Sequence, residues 1–426
     1  MKIIVMGSGI IGVTTSYFLA REGHDVTVID AESSVALGCS FANGCQLSYS
    51  HIEPWSLSFS LNKTILELLK PQSSVKGGSI LTFEFLCWLK KFCRNLPLSK
   101  NLTIAQNLFN LSTYSINAFD EIIKIEKELD FHYQQNGILH FFTNEKSFRS
   151  NLSIAEFKSK INCPLQILTP EEVIKKEPSL LPLLENKNLK GGIFYKNDAT
   201  ADSKIFTSQL AQICKDRYNV KFAFNQKILN FLNNKQKITG INTSTEVMTA
   251  DSYVYALGTS GNSLLRGIGI ESNIYSIGGY SISIPIEDLE NAPKIGITDQ
   301  QNKVVYSRIG NTLRVAGTIE INNKKQAKHN EKIISSNINF IKDITEKNFV
   351  NFGDITKSET WYGERPFRPN STPLICNSKK YSNLYINTGH GSLGFTLAAG
   401  SAKFLTNLIS NTPNPEKLLF LKNHQC

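Results

Sequence analysis

The sequence predicts an α/β chain whose second unit is α+β, and three observations carry the prediction. A short, fully apolar strand, Ile3 to Met6, runs straight into Gly7-Ser8-Gly9-Ile10-Ile11-Gly12. A second apolar strand, Val26 to Ile29, follows an intervening helix and ends in Asp30. Further along, the pattern turns to alternating, turn-bounded runs, as in a largely antiparallel mixed sheet. At 426 residues the chain exceeds one ordinary core, so two interleaved domains are expected.

Continuous apolar strands of this kind belong inside a parallel sheet covered on both faces. Between them, Val13, Ser16, Tyr17 and Ala20 fall on one helical face, and Gly23 closes the helix at its C-cap. Strand, glycine turn, helix and strand together make a Rossmann-type dinucleotide fingerprint, not a lone glycine pattern. Gly7 permits the tight turn, Gly9 admits a pyrophosphate to the backbone, and Gly12 lets helix and strand pack closely. The helix opens at Ile10 and Ile11, whose N–H groups and partial positive charge face that anion. Asp30 accepts hydrogen bonds from an adenosine ribose and disfavours a 2′-phosphate.

Three further segments separate FAD from NAD. The first is the small-residue loop Gly38 to Ser48 (GCSFANGCQLS), where Ala42 and Asn43 follow a ribityl chain and flavin ring. The second, Asp251 to Ser260 (DSYVYALGTS), is a strand whose end at Gly258 returns under the dinucleotide. The third is Asn387 to Thr396 (NTGHGSLGFT), in which Gly389, Gly391 and Gly394 open another helix with Leu397, Phe404, Leu405 and Leu408 on its buried face. A second helix N-terminus suits the flavin pyrimidine end, where reduction places negative charge. An NAD enzyme has no use for this last feature, so FAD is the expected cofactor.

The remaining elements follow in order. Ile80 to Arg94 (ILTFEFLCWLKKFCR) reads as a buried helix with a snorkelling basic end, the alternative being a segment resting on a membrane surface. Asn101 to Leu129 is an amphipathic helix. Phe131 to Thr143 reads as a hairpin about Asn136-Gly137, and Val220 to Asn242 as another about Asn233-Asn234. Tyr275–Ile284, Val304–Ser307, Leu313–Gly317 and Glu359–Tyr362 are strands of the second sheet. The expected division is a discontinuous FAD-binding domain of residues 1–80, 195–268 and 366–426, clasping a substrate-binding domain of residues 81–194 and 269–365.

Composition excludes several classes. Lys and Arg exceed Asp and Glu by 46 to 36, a formal +10, yet the basic residues are scattered in short pairs such as Lys90-Lys91 and Lys324-Lys325. Nothing resembles a nucleic-acid-binding stripe. The eight cysteines show no zinc-type spacing, so no metal is expected, and they read as small buried hydrophobes in a reducing compartment. No apolar run of membrane-spanning length appears, and the glycines contradict a signal peptide. The expected location is cytoplasmic, with a peripheral contact on the cytoplasmic face of the inner membrane as its variant.

Taken together, these segments resemble the small-subunit type of D-amino-acid dehydrogenase, within the D-amino-acid oxidase and glycine oxidase superfamily. The resemblance covers nearly the whole chain. It rests on IIVMGSGIIGVTTSYFLAREGHDVTVID, on ANGCQLS followed by Pro54-Trp55, and on FTSQLAQ at 206–212. It continues through GGYSISIPI at 278–286, YGERPFRPNSTP at 362–373, and INTGHGSLGFT. The chain departs from the family pattern at Asn370-Ser371, where Asp-Gly is usual, at Cys376 in place of glycine, and at Ser276-Ile277-Gly278, which lacks a basic residue.

The resemblance implies oxidative deamination of D-amino acids to 2-oxo acids and ammonium, part of amino-acid catabolism, by hydride transfer from Cα to flavin N5. Electrons then pass to a quinone-type acceptor of the electron-transport chain. It places Arg365 on the substrate carboxylate, where a planar guanidinium matches a planar anion, the alternative being an arginine that ties the two domains together. Tyr280 lines the substrate cavity or is a satisfied core tyrosine; His51 faces the flavin edge or is a structural histidine of its loop. Ser392 accepts the substrate amine through its backbone carbonyl, and Thr396 bonds the flavin pyrimidine carbonyl. The alternatives are a glycine, sarcosine or proline oxidoreductase of the same fold, an NAD-dependent dehydrogenase, and a non-catalytic flavoprotein.

Overall fold

A computed structural model describes residues 1–58, 75–77, 82–321 and 331–421. The start of the Ile80–Arg94 segment, the Lys324-Lys325 pair and Cys426 lie outside them. Two large sheets dominate. The first has the order β19-β20-β13-β1-β2-β9, namely Leu374–Asn377, Leu384–Thr388, Ser252–Tyr255, Lys2–Met6, Asp25–Ile29 and Lys221–Ala223. All its neighbours are parallel except β19 and β20.

Both faces of this sheet are covered, as its apolar strands require. On one face pack helices α1 (Ile10–Arg21), α3 (Leu98–Ile125), α5 (Ser203–Tyr218) and α7 (Gly394–Ile409), around Ile3, Val5, Val26, Val28 and Val254. On the other, Ile4, Met6, Ile29 and Tyr255 meet a small sheet of β10 (Ile228–Asn233), β11 (Ile238–Thr243) and β12 (Val247–Met248). Gly23, at φ +82°, donates its N–H to Ala20 O just past the end of α1, as expected of a glycine closing a helix. Helix α3 sits in the segment given above to the substrate-binding domain, yet it packs on α7. A Cβ on Gly400 would come within 2.8 Å of Ser115 Cα.

The second sheet has the order β18-β14-β17-β16-β15-β5-β7-β6, with a further strand, β4 (Val75–Gly77), beside β17. The ranges are Glu359–Phe367, Tyr275–Pro285, Thr312–Ile321, Val304–Ile309, Gly296–Asp299, Ile138–Phe142, Gly191–Tyr195 and Leu165–Leu168. It is antiparallel apart from the β15–β5 and β17–β4 pairs. Helix α6 (Glu331–Asn348) closes one face over Tyr280, Ile282, Ile284, Val315 and Tyr306. Two short strands, β3 (Gln46–Leu47) and β8 (Ala199–Thr200), pair between the large sheets.

Two expectations are corrected. Phe131–Thr143 is not a hairpin: only its second half is a strand, β5, and that strand pairs with β15 and β7. The first half makes a single bridge, Gln134 to Thr200, and Gly137 at φ +82° leaves room for the Phe194 ring. The run Val220–Leu232 is two strands, not one. Asn225 at φ +57° breaks it, so β9 joins the first sheet and β10 forms the expected hairpin with β11. Of the cysteines, Cys45, Cys163 and Cys214 are buried, whereas Cys39 and Cys87 are exposed.

Candidate active site

Strands β20, β13, β1 and β2 are parallel neighbours, so their C-terminal ends share one edge. Gly389, Gly258, Gly7 and Asp30 stand just beyond those ends. This is the edge at which open α/β sheets take ligands. Gly12 has no room for a side chain, since a Cβ there would fall 1.8 Å from Gly7 O. Gly7, at φ +109°, would put one 2.6 Å from Ala256 O. By contrast, nothing lies within 4 Å of a Cβ built on Gly258 or Gly394. The first pair closes the turn; the second leaves backbone open to a cofactor.

Side chains reinforce this edge. Asp30 accepts from Ser8 N–H at 2.6 Å and from Ser8 Oγ at 2.7 Å, so the carboxylate that would face a ribose also stiffens the glycine turn. Ser40 Oγ accepts the N–H of Ile10 at 3.0 Å, seating the 38–48 loop on the α1 N-terminus. Ile11 lies in the same first turn. Thr388, the last residue of β20, keeps a buried hydroxyl without a partner among the described residues. Thr396 Oγ1 accepts from Ser48 N–H at 3.0 Å, leaving its own proton to give. His390 between Gly389 and Gly391 is buried beside Ser401, and burial pushes its pKa down to about 3. It is neutral.

The 38–48 loop then crosses the face of the second sheet like a strap. Cys39 Sγ donates to Glu364 O on β18 at 2.6 Å, and Phe41 stacks near Trp361. Ser281 Oγ on β14 donates to Ala42 O at 2.6 Å, and Arg314 on β17 reaches Asn43 O at 3.3 Å. Ser307 Oγ on β16 donates to Gly44 O at 2.8 Å, and Gln46 Nε2 donates to Ile297 O on β15 at 3.0 Å. Ala42 and Asn43 are thereby fixed between the cofactor edge and the second sheet.

Arg365 lies on the strap's side of that sheet. The β14–β18 register pairs Ile277 with Arg365, Gly279 with Gly363 and Ser281 with Trp361. A Cβ on Gly279 would fall 2.2 Å from Arg365 Nη2, so the guanidinium lies over the glycine. Its Nη1 donates to Thr318 O at 3.0 Å and Gly278 O at 3.4 Å. Among the described residues no carboxylate pairs with it. Burial pulls its pKa below the ordinary value, but an arginine keeps its charge. The neighbouring bridge from Phe367 to His390 brings this strand to the glycine loop that carries Ser392, which is exposed.

Two expected site residues stand elsewhere. Tyr280 pairs with Tyr362, on the opposite face from Arg365, and is 1 % exposed in the core beneath α6. Its hydroxyl donates to Glu320 Oε2. The satisfied-core reading of Tyr280 is the one the geometry matches. His51 follows the strap to its far end, its ring 6.4 Å from that of His140 on β5. Strands β18 and β5 are five positions apart, on the order of 24 Å at the usual spacing, so His51 and Arg365 do not meet.

Around His51 lies a polar cluster that sequence reading missed. Lys158, on helix α4 (Glu145–Lys160), is fully buried; its Nζ donates to Glu53 Oε1 at 2.6 Å and to Tyr195 OH at 2.9 Å. Burial alone would lower the Lys158 pKa, yet Glu53 and Tyr195 outweigh it and the net shift is upward. Burial likewise opposes the Glu53 charge, but Lys158 and then His51 hold its pKa down at about 2. Asp198 accepts from Ser50 N–H at 2.9 Å, and burial pushes its pKa up to about 7. Glu53 and Lys158 are too far apart in sequence for any local signal.

Comparison with known proteins decides the family. The model of the FAD-dependent oxidoreductases known as DAO matches residues 2–408. The chain belongs to that family. Two D-amino acid dehydrogenases, from Vibrio cholerae O1 (strain M66-2) and Neisseria meningitidis (strain FAM18), are each 32% identical to it, over 415 and 413 residues. These alignments cover 97% and 96% of this chain and 96% of each relative. Among solved structures, glycine oxidase from Geobacillus kaustophilus superposes with a TM-score of 0.74 at 16% identity, over 99% of this chain and 98% of that one. L-proline dehydrogenase from P. horikoshii gives 0.71 at 16% identity, over 99% and 96%. L-alpha-glycerophosphate oxidase from Mycoplasma pneumoniae, solved with FAD bound, gives 0.68 at 17% identity, over 97% and 96%.

The fold class expected from the sequence is therefore the observed one, and the chain is an enzyme of this family with FAD as its cofactor. The residues fit that cofactor: open glycines, the N-termini of α1 and α7, and the unpartnered Thr388 hydroxyl share one edge. No helix among the described residues is long and apolar enough to cross a membrane.

Proposed function

We propose that this chain oxidises D-amino acids to 2-oxo acids and ammonium. One observation carries the reading: a guanidinium, Arg365, laid over Gly279 and held by two carbonyls, with no carboxylate of the described chain to neutralise it. Arg365 is half-buried; a cation partly withdrawn from water favours a counter-charge, and a planar one selects a carboxylate. The relatives, both D-amino acid dehydrogenases by name, supply the substrate class.

Bound FAD supplies the two-electron acceptor. The amine reacts in its neutral form, and Arg365 fixes the substrate carboxylate so that Cα–H is aimed. That is an orientation effect rather than acid–base chemistry. Ser392 offers its carbonyl to the amine and Thr396 its hydroxyl to the flavin pyrimidine carbonyl. Gly7, Gly9, Ile10, Ile11, Gly12, Asp30, Ala42, Asn43, Gly258, Gly389, Gly391 and Gly394 line the FAD. Tyr280 and His51 act through the scaffold. The proposed division keeps residues 1–80, 195–268 and 366–426 with FAD and 81–194 and 269–365 with substrate, with α3 bracing the two.

The acceptor is proposed to be a membrane quinone, met through helix α2 (Phe83–Cys93). Its inner face, Phe85, Trp88 and Phe92, packs with Tyr275 and Ile277 near Arg365. Its outer face exposes Phe83 (81 %) and Leu86 (46 %), with Lys90, Lys91 and Arg94 on the exposed side. Apolar side chains at one end of the helix and cations at the other, with Glu84 already paired to Arg266, suit an anionic membrane surface.

Anaerobic mixing with D-amino acids, L-amino acids, glycine and sarcosine tests the activity. Bleaching of the flavin absorbance by D-amino acids is expected; bleaching only by glycine or sarcosine moves the substrate class, and bleaching by none removes the reading. Arg365→Lys is expected to keep FAD and lose substrate affinity by about 1.4–3 kcal/mol, one to two orders of magnitude.

A further inference from the structure

Beside Arg365 the second sheet is irregular. On β14, Gly278 pairs with Glu320 and Tyr280 with Gly317, so the single residue Gly279 faces two residues of β17, Thr318 and Ile319. This is a β-bulge, a device that re-aims side chains and gathers at functional sites. Thr318 sits there at φ +62°. A β-branched residue in the left-handed region is strained and persists only where its surroundings impose it.

The surroundings do impose it. The carbonyl of Thr318 takes the shorter of the two Nη1 bonds from Arg365. Glu320, the first residue past the bulge, is bound from behind by the Tyr280 hydroxyl. Ile319, beside Thr318 in the bulge, packs in the cluster of Tyr275, Ile277 and Ile321, on the same side of β14 as Arg365. Thr318 is 2 % exposed, and its hydroxyl has no hydrogen-bond partner among the described residues. A buried hydroxyl without a partner costs free energy, so the site is incomplete as it stands.

We infer that Thr318 is a second substrate contact: its backbone carbonyl seats Arg365, and its hydroxyl donates to the carboxylate that Arg365 holds. The pairing is chemically matched. A carboxylate has about four acceptor positions, of which a bidentate guanidinium takes two. The added O–H bond supplies direction, because it comes from a short β-branched side chain with few rotamers rather than a long one. The inference rests on the reading of Arg365 as the carboxylate anchor.

The test uses the FAD-loaded enzyme and propionate, a carboxylate without an amine, followed by the change it induces in the flavin spectrum. Thr318→Val keeps shape and strain but removes the hydroxyl, and is expected to weaken propionate about ten-fold. Thr318→Ser keeps the hydroxyl and is expected to stay within about two-fold of the parent. Thr318→Gly guards against a folding defect, since it relieves the positive φ; it is expected to unfold at the parent's temperature or above and still to lose the ten-fold. Propionate binding unchanged in the Val or Gly variant overturns the inference. Arg365→Lys separates the two readings. If it abolishes binding while Thr318→Gly does not, only Thr318 leaves the site; if it leaves binding intact, the anchor itself is elsewhere.

Discussion

The two large sheets build their halves of the site in different ways. The parallel sheet uses its edge: four strand ends deliver Gly389, Gly258, Gly7 and Asp30 to one line. Backbone N–H groups and missing side chains make that site. The mixed sheet uses its face, where a glycine, a bulge and a strand register create a seat for one arginine. An edge site depends on turns, which are local. A face site depends on which residue stands opposite which, so distant segments decide it together.

That contrast can be broken at four points, from the largest effect downward. Gly12→Ala should leave the protein without FAD, because its Cβ would fall 1.8 Å from a backbone oxygen that cannot retreat; the flavin absorbance of the purified variant checks this. Lys158→Met should cost about 3–5 kcal/mol in urea unfolding, since it strands the Glu53 carboxylate in the interior. A loss below about 1 kcal/mol would mean that the pair only decorates the fold.

Gly279→Ala should retain FAD, yet lower kcat/KM on the order of 100-fold by lifting the Arg365 guanidinium from its seat. Full activity would show that the face needs no such hollow. The smallest effect concerns Asp198. Its folded pKa, about 7, lies above the unfolded value, so the native state holds the proton more tightly. That contribution to stability is complete below about pH 4 and is lost as pH rises toward 7. The melting temperature should fall over this window, and Asp198→Asn should flatten the decline by a few degrees. A slope unchanged in that variant would assign it to another group.

Legibility in the sequence follows the same division. Gly7, Gly9 and Gly12 announce the edge because their spacing is set by one turn and one helix. Gly389, Gly391 and Gly394 announce its far end for the same reason. Arg365 was found through the motif around it, and its geometry bears on that expectation without local help. Tyr280 could not be assigned a face, because one strand's alternation does not say which side carries the site. Thr318 left no signal: a bulge is a mismatch between two strands and exists in neither alone. The Phe131–Thr143 hairpin failed because Asn136-Gly137 is a good turn in isolation. There β5 pairs with β7 and β15 instead, and the chain before the turn bridges Thr200.

The strap has a consequence for how the molecule comes together. Its partners on the second sheet lie 239 to 325 residues farther along the chain. Closing loops of that length carries a large entropic penalty, so such contacts form late in folding. During synthesis the glycine turn and its helix therefore exist long before anything can latch the strap above them. Gly389, Gly391 and Gly394 follow β18 in the chain, so the edge that takes FAD is complete only after every partner of the strap on the second sheet has been made.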